Sequence, residues 1–352
     1  MPLADTVFVP RGSVPRTVSS RRALHAGVLL ASLLASALFA YLAVRNVDWS
    51  GTANALRRSN YWWLVPAFGA LIVSLAIRIE RWRILFRRER RPSFVSLTKA
   101  MLVGLFFNIV LPARAGEAAR VVALKSYART SAAESSATIV VERLIDILSL
   151  LALLFIAVPW LPTVTWLRAA AIAALVTVVA AIALVAVAMY LGKGATPRAV
   201  RALSRLPLVS EESATRALAN VLHGLAAIRR PRQAAAALTW TVLLWLILGA
   251  GFWCLMIGFD LDLPLLAGLL AVIATGLAFI VPAAPGGAGV FEAAGLAATS
   301  AYGVPTSHAL AYVLVLHALN VFPYVAAGAV VLISQTPAMR REVGAVPGNG
   351  RV

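Results

Sequence analysis

The chain has 352 residues, of which 61% are hydrophobic and only 13% charged, and its mean hydropathy is +0.86. A soluble chain of this length carries far more charge, and here the apolar residues come in unbroken runs of about 20, the length that crosses a bilayer. The runs do not alternate, which excludes a β-barrel. The net charge of +18 sits as Arg and Lys in short loops, as the positive-inside rule expects, with no separate basic domain for nucleic acid.

In chain order, residues 1–20 show no periodicity and read as a flexible tail. Arg21 and Arg22 precede an apolar run from Ala23 to Val44, too long for a signal-peptide core and read as a first, uncleaved span. A polar loop, 45–60, ends at Tyr61, Trp62 and Trp63, an interfacial aromatic set that opens a second span at about 61–79. That span runs into a basic segment, Arg78 to Arg88, read as juxtamembrane with Trp82 as its anchor. An apolar stretch at 97–128 is broken at Leu111 to Glu117. Further spans are expected at 135–159, 167–191, 234–258 and 306–334. The longest non-membrane piece is 192–233, rich in Arg. A second apolar stretch, 264–304, is broken at Val281 to Gly289.

Charge bias selects the topology. If both broken stretches enter and leave on one side, six full spans remain and both termini are cytoplasmic. The inside pieces then hold 21 Arg and Lys, against only Arg45, Arg57 and Arg58 outside. If 97–115 crossed fully, the basic loop 192–233 would face out, against the rule. The expected fold is therefore an all-α polytopic membrane protein with about six transmembrane helices and two broken re-entrant hairpins. The hairpins dip in from opposite sides, the pattern of an inverted repeat. Domain organisation follows: tail 1–20, transmembrane domain 21–335 with the cytoplasmic loop 192–233, and tail 336–352.

The polar residues inside these apolar stretches are the candidate site. Each intramembrane charge costs roughly 2.5–3.5 kcal/mol at the bilayer centre, so Glu142, Arg143 and Asp146 together cost about 8 kcal/mol if they face lipid. They must face protein, water or a ligand. At 100° per residue, Ser135, Glu142, Asp146 and Ser149 share one stripe of the helix 135–159. This set either serves a ligand or neutralises itself and locks helix packing. The turn Pro112 to Gly116 starts a helix near Glu117, where unpaired N–H groups, the dipole end, Arg114 and Arg120 form a cradle for phosphate. The plainer alternative is that Gly116 caps the helix and Glu117 complements its dipole. In the second break, Pro285, Gly286, Gly287 and Gly289 supply a tight turn, and Glu292 stands where an N3 capping carboxylate would. Asn108, His317 and Asn320 read as interhelical hydrogen-bonding groups. Cys254 is the only cysteine, and the four histidines form no ligand cluster, so no disulfide, metal or cofactor is expected.

Three runs carry a family resemblance: GLFFNIVLPARAGEAARVVAL, VVERLIDILSL and VPAAPGGAGVFEAAG, supported by RIERWRILF. In this order they resemble the lysylphosphatidylglycerol synthase transmembrane-region family, also called flippase-like, over roughly residues 20–335. The resemblance implies a membrane protein of lipid-flippase type, with Arg114, Glu117, Arg120, Glu142, Arg143, Asp146 and Glu292 at the motif positions. Full-length synthases also carry a soluble aminoacyl-transferase domain. The piece 192–233 is too short to hold one, so lipid aminoacylation is not expected.

The expected function is transport of a phospholipid or polyprenyl-phosphate type of lipid in the cytoplasmic membrane. Arg114, Arg120 and Arg143 would hold phosphate; Glu142, Asp146 and Glu292 would take cationic groups or protons. An intramembrane enzyme or glycosyltransferase helper, and a non-transporting scaffold, are the alternatives. The expected partners are membrane lipids, with a membrane-protein partner or a second copy of the chain in addition.

Overall fold

The computed structural model describes residues 33–45, 47–111, 115–162, 231–279 and 283–344, with single positions between them. Most of the expected span 167–191 and of the loop 192–233, the tail 1–20, the start of the first expected span, Pro112 and Arg114 lie outside the described residues.

Every regular element among the described residues is helical. In order they are α1 (Leu33–Val44), α2 (Trp49–Arg58), α3 (Leu64–Leu85), α4 (Phe94–Val110), α5 (Ala115–Ala128), α6 (Ala132–Ala157), α7 (Pro231–Gly258), α8 (Leu265–Ala278), α9 (Val290–Ser300) and α10 (Thr306–Gly344). Among the described residues three stretches are long and apolar enough to cross a membrane: Tyr61–Leu85, Arg232–Gly258 and Thr306–Ser334. At 26 residues, α6 is also long enough, but it carries Glu134, Glu142, Arg143 and Asp146. α10 continues to Gly344, so the first part of the expected tail 336–352 is helical.

Local chemistry sets the ends. Asn60 accepts the Trp62 N–H at 3.1 Å and starts the short turn before α3. Pro66 falls in the first turn of α3, where its missing N–H costs nothing. Ser93 caps α4 by accepting the Ser96 N–H at 3.1 Å. α4 stops at Leu111, which is extended (φ −105°, ψ 146°) as a residue before proline must be. Ser131 caps α6 by accepting the Glu134 N–H at 3.1 Å. Ser131→Ala is expected to cost roughly 1 kcal/mol. Faster amide exchange at Glu134, with the rest of α6 unchanged, would report it.

Two helical hairpins stand out. In the first, α4 and α5 run antiparallel: Ser96 Oγ donates to the Tyr127 carbonyl at 3.5 Å at the open end. At the closed end Gly116 lies on Gly104 and Asn108. The second hairpin is α8 and α9, joined through a short 3-10 turn, Pro285–Gly287. α4 touches that turn, so the two hairpins meet through their tips. Around them α3 packs along α7, α7 along α8, and α10 along α4 and α9.

The apolar interior has two parts. One joins Leu71, Leu150, Leu244, Phe252, Leu270 and Tyr312 from α3, α6, α7, α8 and α10. The other joins Trp82, Leu97, Met101, Leu124 and Ile139 from α3 to α6. Large apolar side chains such as Val65, Phe68, Ile72 and Val73 on α3 face outward, as lipid-facing positions would.

The second span departs from expectation. The helix runs on to Leu85, and Arg81 and Trp82 are both fully buried in protein, so Trp82 is not an exposed anchor. Three further helices close over this end of α3, and Trp82 Nε1 donates to Thr138 on α6 at 3.0 Å.

Candidate functional site

The charges gather where α3, α5, α6 and α7 converge. α6 sets Glu142 ten residues from its first residue, about 15 Å along the helix. Ser135, Glu142, Asp146 and Ser149 are all buried, as one stripe turned inward. Glu142 is held from two sides. Arg120 donates to it in a fork, at 3.2 and 2.6 Å, and Arg81 approaches at 3.3 Å. Arg81 also donates to both oxygens of Asp146 and to the Thr241 hydroxyl at 3.0 Å. The Arg120 guanidinium lies 3.6 Å from the centre of the Trp82 ring. Buried carboxylates with forked guanidinium partners are the geometry in which such pairs hold.

Arg143 is different. Its side chain is 31% exposed, and it stands among three carboxylates: Glu117 at 3.2 Å, Glu142 at 3.5 Å and Asp146 at 3.8 Å. Its contact with Glu117 is an ion pair whose Nε–H is not aligned for a hydrogen bond. Glu117 is also 30% exposed. The set therefore comprises three arginines and three carboxylates. Its inner members, Arg81, Arg120, Glu142 and Asp146, are buried. Its outer pair, Arg143 and Glu117, is open.

That outer pair faces a cavity of about 440 Å³, within the range of small-molecule sites. Asn108, Glu117 and Ile109 of the first hairpin line it, as do Ala284, Gly286 and Phe291 of the second. Arg78 comes from α3, Arg143 and Asp146 from α6, and His317, Asn320 and Tyr324 from α10. The rest of the wall is apolar, with Trp245, Leu248 and Phe252 from α7 and Val272 and Phe279 from α8. A lining that is charged on one side and aromatic and aliphatic on the other suits an amphiphile.

The second turn is built tightly. Gly286, Gly287 and Gly289 have φ of 69°, 78° and 82°, values that a side chain would make costly. Gly289 N–H donates to Glu292 Oε2 at 2.7 Å, which is the N3 cap. The other oxygen, Oε1, lies 2.5 Å from His317 Nδ1, and His317 Nε2 lies 2.9 Å from the Gly286 carbonyl. Both ring nitrogens thus face acceptors, and the ring stacks on Phe291 at 4.5 Å. From the other side, Ser36 Oγ of α1 accepts the Ala284 N–H at 2.6 Å. Glu292 is bound up with holding this turn.

Of the sequence candidates, Glu117, Arg120, Glu142, Arg143 and Asp146 come together, and Glu292 lies apart at the second turn. Gly116 is not in the break. It sits inside the first turn of α5 with no positive φ, and its role is close approach to α4. Arg81 was hidden from sequence reasoning by the basic run that follows it. The signal was arithmetic: Glu142 and Asp146 against Arg143 alone leaves one intramembrane carboxylate without a cation.

Fold and site together define a multi-pass helical membrane protein with a charged core beside an amphiphilic cavity. The chain belongs to the family described as lysylphosphatidylglycerol synthase TM region, whose profile matches residues 28–328. A comparison with individually curated proteins finds no match.

Proposed function

We propose that this protein is a flippase-type lipid carrier of the cytoplasmic membrane, moving a phospholipid or polyprenyl-phosphate head group through the cavity while the chains stay in the bilayer. The observation that carries the reading is the cavity itself: both hairpin tips, an open Arg–Glu pair and an aromatic wall meet around one space. Intramembrane charge is functional by default, and interrupted helices at the midplane are where carriers build their sites.

In this reading the two hairpins are re-entrant and dip in from opposite sides. The meeting of Ser96 with Tyr127 at the open end of the first, and the tip-to-tip contact, support it. The transmembrane domain 21–335 acts as one unit with both termini cytoplasmic, as the charge bias favours. Roles divide by burial. Arg120, Arg81, Glu142 and Asp146 brace the site, because each is already paired and buried, Asp146 at the cavity's edge. Arg143 and Glu117 exchange partners with the head group, because a partly exposed ion pair opens at small cost, of the order of 1 kcal/mol or less.

The test is lipid translocation in proteoliposomes, with fluorescent lipids bearing anionic, zwitterionic and cationic head groups. The parent protein is expected to move one class above protein-free liposomes, and Arg143→Gln to slow it at least tenfold while remaining folded. No movement of any class, with and without a pH gradient, would end the carrier reading.

A further inference from the structure

The charges around the cavity do not all cancel. Arg81, Arg120 and Arg143 are matched by Glu117, Glu142 and Asp146, and His317 is matched by Glu292. Arg78 is left over. It lines the same cavity from α3, three residues before Arg81 and so on the same helix face. Among the described residues no carboxylate pairs with it and no hydrogen bond engages it. A guanidinium cannot shed its proton, so this cation stays charged whatever surrounds it. An unpaired arginine within a membrane protein is costly unless it meets water or a ligand, and Arg78 meets the cavity.

A second group points the same way. Asn108, at the tip of the first hairpin, lines the cavity, and its Oδ1 is buried without a hydrogen-bond partner. Buried polar atoms are ordinarily satisfied, so this amide oxygen, in the same cavity as the unpaired guanidinium, marks a place where a donor of the ligand (a hydroxyl or a protonated phosphate oxygen) completes the bonding. α10 brings the Tyr324 hydroxyl and the Asn320 amide to the same cavity.

We propose that Arg78 is the anion anchor of the cavity, binding the phosphate oxygens of the ligand's head group, with the Tyr324 hydroxyl as a neutral partner and Asn108 Oδ1 accepting from a hydroxyl or a protonated phosphate oxygen of the same head group. A planar guanidinium with two parallel N–H donors fits a phosphate edge and discriminates against a cationic head group. This deepens the carrier reading and rests on it for the lipid identity of the ligand. It also moves the phosphate contact away from Arg120, whose guanidinium is committed to Glu142 and Trp82.

The experiment is equilibrium binding of radiolabelled phosphatidate to the full chain in phosphatidylcholine nanodiscs, with inorganic phosphate and a cationic lipid as competitors. Arg78→Gln is compared with Arg78→Lys and with Arg88→Gln, an exposed arginine beyond the end of α3. The parent is expected to bind, Arg78→Gln to lose at least tenfold in affinity, Arg78→Lys to lose less, and Arg88→Gln to match the parent. Competition by inorganic phosphate at millimolar levels would identify the free anion as the ligand; its failure to compete would identify the lipid. Equal binding by the parent and Arg78→Gln overturns the proposal, as does equal loss in Arg88→Gln. Should Arg78→Gln fail to fold, Arg78→Lys decides: a preference for phosphatidate over the cationic lipid retained in it supports the anchor, and a preference lost in it despite the kept charge overturns it. A parent that binds phosphatidate through Arg78 yet moves no lipid would overturn the carrier reading alone. A parent that moves lipid equally well with Arg78→Gln would overturn the anchor alone.

Discussion

Glu142→Gln is expected to lower the unfolding free energy by about 3–5 kcal/mol, the range found when one partner of a buried ion pair is removed. The side chain is fully buried, and among the described residues it is the only carboxylate on the Arg120 guanidinium. Glutamine keeps the volume and one acceptor oxygen but removes the charge, so Arg120 is left buried without its counter-ion. Arg81 is less affected, because Asp146 still holds it. Glu117→Gln is the contrast. Its carboxylate is 30% exposed and its partner Arg143 has two other carboxylates nearby, so the cost is expected below about 1 kcal/mol. SDS-titrated unfolding in mixed micelles measures both. A Glu142→Gln protein within 1 kcal/mol of the parent would show that water or relaxation shields the core charges, and that the buried arginine–carboxylate set does not brace the bundle.

The same comparison separates bracing from transport. In the carrier reading a neutral change at Glu142 would stop transport whether the residue binds a ligand or only holds α5 to α6, so its loss there would carry little information. Arg143, open to the cavity, and Arg78, unpaired, are the informative positions. Burial makes this distinction, and sequence cannot supply it.

What the sequence does supply is periodicity. The stripe from Ser135 to Ser149 follows from 3.6 residues per turn and four polar side chains, and all four are buried as one face. The helix breaks were equally legible: Pro112 forbids the helical N–H and forces Leu111 to extend, and only glycine holds the positive φ of Gly286, Gly287 and Gly289. Arg81 was not legible. Its neighbours Arg83, Arg87 and Arg88 make it one of a basic series, and only the closure of α4, α5 and α6 over α3 separates it from them. The His317 contact with Glu292 failed for the same reason. It joins α9 to α10 across 25 residues, and no local spacing rule reports a meeting of two helices.

Gly116→Ala is expected to cost about 1–3 kcal/mol, because the added methyl has nowhere to go. A Cβ at Gly116 would fall on the Gly104 carbonyl and would sit 2.6 Å from both the Asn108 backbone nitrogen and its Cγ. Two of those atoms are helix backbone and cannot swing aside, so α4 and α5 must part. Small residues at such a crossing are what let helices approach closely in a membrane. Gly69→Ala, on the outward face of α3, meets nothing within 4 Å and should instead gain up to about 1 kcal/mol from helix propensity. Opposite signs for two identical substitutions, read by the same SDS titration, would establish that the hairpin contact and not glycine itself is being measured. The consequence reaches the cavity. Gly104 packs on the Arg120 side chain and Gly116 on Asn108, so parting the hairpin displaces the brace and the unpaired amide together. Phosphatidate binding by Gly116→Ala should therefore fall with its stability, whereas Gly69→Ala should bind as the parent does. A destabilised Gly116→Ala protein with undiminished binding would place the ligand away from the tip of the first hairpin.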